Sequence, residues 1–126
     1  MSGSFFLGVG TGLITLWGIA HIVPTKKVVG SLGEVSEDVR RMFTMEWVAE
    51  GLTLIFIGVQ VGILVHVFGG DSYTVFWVAR ICAVMLVVLA VLTGFTGART
   101  KIMPMKICPF VKLLAAVMFL IGTFYF

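Results

Sequence analysis

The chain has 126 residues, of which 60% are hydrophobic and only 12% charged, and its formal net charge is +3. A soluble domain carries about 25% charged residues, and a disordered chain has few apolar ones. Both are excluded, and an integral membrane protein is expected. The small positive excess points to no nucleic acid, because the basic residues flank apolar runs; the expected surrounding is a lipid bilayer.

A hydrocarbon core about 30 Å thick is crossed by about 20 helical residues. Four stretches reach that length, which predicts an all-α, up-down bundle of four transmembrane helices as a single domain over residues 1–126. The first span covers residues 4–23 and stops at Pro24. No basic residue precedes its apolar run and no small-residue cleavage site follows it, so a retained span is expected and not a signal peptide. The polar segment PTKKVVGSLGEVSEDVRRMFT occupies 24–44. Ser36 followed by Glu37 and Asp38 is a helix start, with a capping hydroxyl and acids at the positive end of the helix dipole. The second helix is therefore expected to begin ahead of its apolar span, 45–68, which stops at Gly69-Gly70. A GGDS turn leads to the third span, 73–97. The basic segment at 98–106 precedes the fourth, 107–125, expected to open around Cys108-Pro109.

Consecutive spans alternate in direction, so loops 24–44 and 98–106 share a side. Lys26, Lys27, Arg40 and Arg41 belong to the first loop or its helix ends; Arg99, Lys101, Lys106 and Lys112 belong to the second. These are eight of the nine basic residues, and only Arg80 lies toward the other side. The positive-inside rule predicts that both loops are cytoplasmic and both termini extracytoplasmic.

At 100° per residue, Glu46, Glu50, Thr53, Ile57, Gln60 and Leu64 fall in a stripe about 80° wide on the second helix. Lipid satisfies no polar group, so the stripe is expected to face protein or a water-filled cavity. His66 projects from the opposite side. On the first helix Ser4, Gly8, Thr11, Thr15 and Gly18 form a stripe of small and hydroxyl residues. Small residues permit close helix approach, and the two stripes are expected to face each other. Gly51, Gly58 and Gly62 mark another face of the second helix, suited to a further helix or to a second copy of the chain, and Gly8 with Gly12 is a second such pair.

Depth groups the charges. His21, Glu46, Glu50, Lys112 and Arg99 lie at similar levels on the basic side and are expected to form one intramembrane cluster. Gln60 and Arg80 share a depth on the other side and are expected to pair. Within the cluster Glu50 is either a structural partner of Lys112 or Arg99 or a proton-carrying group.

Several chemistries are disfavoured. His21 and His66 stand at opposite ends of their spans, so one haem does not join them. No C-x-x-C occurs, and Cys82 and Cys108 sit at different depths, so no bridge is expected. No metal-ligand spacing, phosphate loop or nucleophile elbow is present. Trp17, Trp47 and Trp77 lie near span ends, as interface anchors do.

The segments Gly12-Leu13-Ile14-Thr15-Leu16-Trp17-Gly18, Glu50-Gly51-Leu52-Thr53-Leu54-Ile55-Phe56-Ile57-Gly58 and Leu114-Ala115-Ala116-Val117 with Gly122 resemble the DoxX-like group of small four-helix membrane proteins. The resemblance implies a membrane subunit linked to oxidoreductases or quinone chemistry. The small size, with no soluble domain and no convincing catalytic set, favours as the first expectation an accessory or interaction subunit of a larger membrane complex, working as a homo-oligomer or with foreign partners. No cofactor is predicted, a quinone or a lipid being the compatible ligand. One alternative is a proton-coupled small-molecule carrier, a homodimer built around Glu50. Another is an enzyme on a lipid-soluble substrate with Glu46, Glu50 and His21 as acid and base groups.

Overall fold

The protein, a computed structural model that describes residues 2–125, is built from helices and connecting turns. Four of its helices are long and apolar enough to cross a membrane. Helix α1 (Gly3–Ile22) is followed by the short α2 (Thr25–Gly30). Pro24 separates them at a point where its missing N–H costs least, at the start of a helix. Helix α3 (Glu37–Phe68) is 32 residues long, and its start follows the expected signal: the Ser36 hydroxyl accepts from the Val39 N–H at 3.2 Å, with Glu37 and Asp38 in the first turn. It ends at Gly69, whose φ of 85° suits glycine alone among common residues. Ser72 caps α4 (Tyr73–Phe95), accepting from Thr74 and Val75. A single 3-10 turn (Gly97–Arg99) leads to α5 (Met103–Phe124).

The third span, expected over 73–97, runs Tyr73–Arg99, with α4 ending at Phe95 and the 3-10 turn continuing it. One span boundary differs from expectation. The fourth begins at Met103, with Pro104 in its first turn, so Pro109 lies inside the helix and not at its start.

The helices alternate in direction. Gly3 N–H donates to the Tyr125 carbonyl at 3.1 Å, and Gly70 lies against Ser4, so both ends of the described chain and the 69–72 turn share one end of the bundle. Residues 24–36 and 96–102 form the other end, called the basic end below. In cross-section α1 touches α3 on one side and α5 on the other, and α5 touches α4. The circuit is loosest between α3 and α4.

Small residues decide which faces meet. A methyl group built on Gly18 would stand 2.8 Å from the Gly51 carbonyl oxygen, and one on Gly58 would strike Thr15 and come within 3.0 Å of the Thr11 carbonyl oxygen. The glycine face of α3 thus receives the small-residue stripe of α1, and Gly62 is packed against Thr11. This corrects the expectation that the polar stripe of α3 faces α1. Backbone approach gains dispersion contacts along the whole crossing, whereas Thr11 and Thr15 offer hydroxyls that are buried there without a hydrogen-bond partner. Gly8 and Gly12, expected as packing positions, have nothing within 4 Å of an added methyl. Gly10 takes that place, against Phe119 of α5. The core between the helices is filled by Leu7, Ile14, Leu54, Leu86 and Phe119, all fully buried. Outside, each spanning helix exposes large apolar side chains such as Leu16, Phe56, Ile81 and Phe110, a surface suited to lipid and not to water.

Candidate functional site: a buried ion pair at the floor of a groove

Lys112 of α5 is wholly buried, a charged side chain among the apolar ones of the core. Its ammonium donates to Glu50 Oε1 of α3 and, at 2.7 Å, to Thr93 Oγ1 of α4. One lysine thus ties three helices together. An ammonium in a membrane interior is tolerated only with such partners. Glu50 differs from its partner: 27% of its side chain remains exposed. Its second oxygen lies 3.8 Å from His21 Nε2, beyond hydrogen-bond range.

His21, near the end of α1, is 2% exposed and makes no hydrogen bond through either ring nitrogen. Its ring is stacked on Trp47 at a centroid distance of 3.9 Å, and the Trp47 indole N–H donates to the His21 backbone carbonyl at 2.8 Å. Trp47 is therefore buried in the bundle, a departure from its expected place at the membrane interface. Trp17 also turns inward and donates to Cys108 Sγ at 3.3 Å; Trp77 alone of the three is exposed. Both thiols, Cys82 and Cys108, are free and buried.

The loose seam between α3 and α4 opens toward the basic end as a groove of about 610 Å³. Glu46, Glu50 and Thr53 line it from α3; Leu89, Thr93 and Thr96 line it from α4, and the 97–105 connection closes one end. Glu46, Glu50 and Thr53 of the polar stripe thus face a cavity, while Ile57 is buried and Gln60 meets Cys82 of α4, so the stripe divides between the two surroundings expected for it.

Of the five residues expected to cluster, His21, Glu50 and Lys112 come together, and Glu46 joins them at the mouth of the groove. Arg99 does not: it is exposed on the 3-10 turn, 5.8 Å over the Phe95 ring. The expected Gln60–Arg80 pair is also not formed. Gln60 accepts from Cys82 Sγ at 3.8 Å, and Arg80 donates to Thr123 Oγ1 at 3.1 Å while lying over Phe76 and Phe124. His66 is exposed, as its face on α3 implies. The member that sequence reasoning missed is Thr93, whose only signal is a hydroxyl near the basic end of a span rich in valine and leucine.

No protein-family model matches the chain, and no curated protein and no solved structure matches it.

Proposed function

We propose that this is a small multi-pass membrane protein that binds a lipid-soluble molecule in the groove between α3 and α4, admitting it sideways from the bilayer. The observation that carries this reading is the asymmetry of the central ion pair. Lys112 is sealed, while Glu50 keeps part of its carboxylate in the groove. A pair whose whole role is to hold helices together has no need of an exposed half. A groove with polar groups at its floor and leucines on its wall is a common form of ligand site.

On this reading the groove lies in the cytoplasmic leaflet, with loops 24–44 and 98–106 in the cytoplasm and both termini outside. The protein handles its ligand as a carrier or as the binding subunit of a larger assembly. The DoxX-like resemblance, with its link to lipid-soluble redox chemistry, is compatible with the second role.

Native mass spectrometry of gently solubilised protein from its own membrane tests the reading. A retained small molecule is expected on the unaltered protein and is expected to be lost from Ala49→Trp, which fills the groove. An adduct unaffected by that substitution would place the ligand elsewhere and sink the proposal. A stoichiometric foreign subunit favours the role within a larger assembly.

A further inference from the structure

The chemistry of the groove lining selects among lipid-soluble molecules. A threonine hydroxyl has one hydrogen to donate and two lone pairs to accept with. Four threonines border the groove, and each spends its hydrogen on its own backbone. Thr53 donates to the Ala49 carbonyl at 2.8 Å, Thr93 to Leu89 at 2.8 Å, Thr96 to Leu92 at 2.7 Å and Thr100 to Gly97 at 2.6 Å. What these side chains retain is acceptor capacity, in full at Thr53 and Thr96 and in part at Thr93 and Thr100, which accept from Lys112 and from the Ile102 N–H.

The carboxylates add to it. Ionised carboxylates only accept. Glu50 gives one oxygen to Lys112 and leaves the other free of hydrogen bonds. Glu46, one turn closer to the basic end and exposed, has no hydrogen bond or ion pair among the described residues. Its charge is uncompensated, whereas that of Glu50 is balanced by Lys112. No lysine, arginine or histidine lines the groove among the described residues, and the Lys112 ammonium is sealed beneath the floor. Leu89, Leu92 and Met105 supply an apolar wall.

From this pattern we infer that the groove takes an amphiphilic organic cation, with an N–H-bearing head such as a protonated amine and an apolar body. The inference rests on the reading of the groove as a binding site. Glu46 and Glu50 are about 6 Å apart along the helix axis at 1.5 Å per residue, so the head lies between them. The body runs toward Thr53 and Leu89, deeper in the bilayer. A quinone presents carbonyl acceptors to lining side chains whose hydrogens are already engaged, and an acid meets the charge of Glu46. Both are poorer occupants.

The test uses protein in nanodiscs of zwitterionic phosphatidylcholine, with empty nanodiscs subtracted. Three fluorescent probes of equal length are titrated: a naphthylalkylamine, the matching alcohol and the matching carboxylate. The amine is expected to bind at least about tenfold more tightly than the alcohol, and Glu46→Gln is expected to cut that preference to about threefold or less. Glu46 is exposed and unpaired, so its substitution leaves the fold intact. Glu50→Gln combined with Lys112→Met keeps the buried charge balanced and should also weaken the amine. Ala49→Trp should remove binding of every probe. Equal binding of amine and alcohol, both lost in Ala49→Trp, overturns the cation assignment and leaves the groove as a site. An amine preference that survives Glu46→Gln overturns the assignment too. Probe binding unchanged by Ala49→Trp overturns the groove reading itself.

Discussion

Lys112 stands where a lone positive charge is hardest to keep, and what surrounds it defines the residue-scale energetics. Removing Glu50 as its acceptor, in Glu50→Ala, leaves the ammonium buried without a counter-charge and is expected to cost about 3–5 kcal/mol. The double variant Glu50→Gln/Lys112→Met should recover most of that loss. Reversible unfolding in mixed micelles measures both, and a fully stable Glu50→Ala would show that the pair does not hold the bundle. Thr93→Val removes one acceptor of a charged donor and should cost about 1.5–3 kcal/mol in the same assay. Glu50, Lys112 and His21 were legible from depth alone, because charged or aromatic-polar residues in apolar spans are few enough to be matched by level. Thr93 was not, since a single hydroxyl in a span looks the same whether it serves a lysine or its own backbone. Arg99 was grouped by depth as well, but depth does not fix direction: the α-helix ends at Phe95 and the 3-10 turn leaves Arg99 exposed.

Between elements, the α1–α3 crossing rests on the absence of side chains. Gly58→Ala puts a methyl into Thr15 and the α1 backbone and is expected to destabilise by about 1–3 kcal/mol, the usual cost of overpacking. Gly8→Ala meets open space and should stay within about 0.5 kcal/mol of the parent. Equal melting temperatures for the two variants would refute the crossing. The spans themselves and the start of α3 were readable, since apolar length and the Ser36 cap are local signals. The pairing of faces was not. The polar stripe of α3 and its glycine face compete for α1, and a sequence does not reveal that two backbones fit more closely than two polar surfaces do. The open position of Gly8 and Gly12 has the same cause: a glycine pair states that approach is permitted, not which helix approaches.

At the scale of the whole molecule, the clustering of basic residues at one end makes a sidedness prediction. A cysteine at Gly33 should react with an impermeant maleimide only after permeabilisation, and one at Ser2 should react in intact cells. The reverse pattern would invert the bundle and place the groove in the outer leaflet. Both native thiols are buried, which keeps the labelling background low. The short link from α3 to α4 has a mechanical consequence. These two helices are tied by four residues, Gly69 to Ser72, yet make the loosest contact among neighbouring spanning helices. They resemble the arms of a pair of callipers. The groove lies about 30 Å from the tie, so a tilt of about 5° between the arms moves its edges about 2.6 Å apart. The width of the site is thus held at two points, by the Gly69–Ser72 tie at the far end and by the Lys112 bridge between Glu50 and Thr93 at its floor.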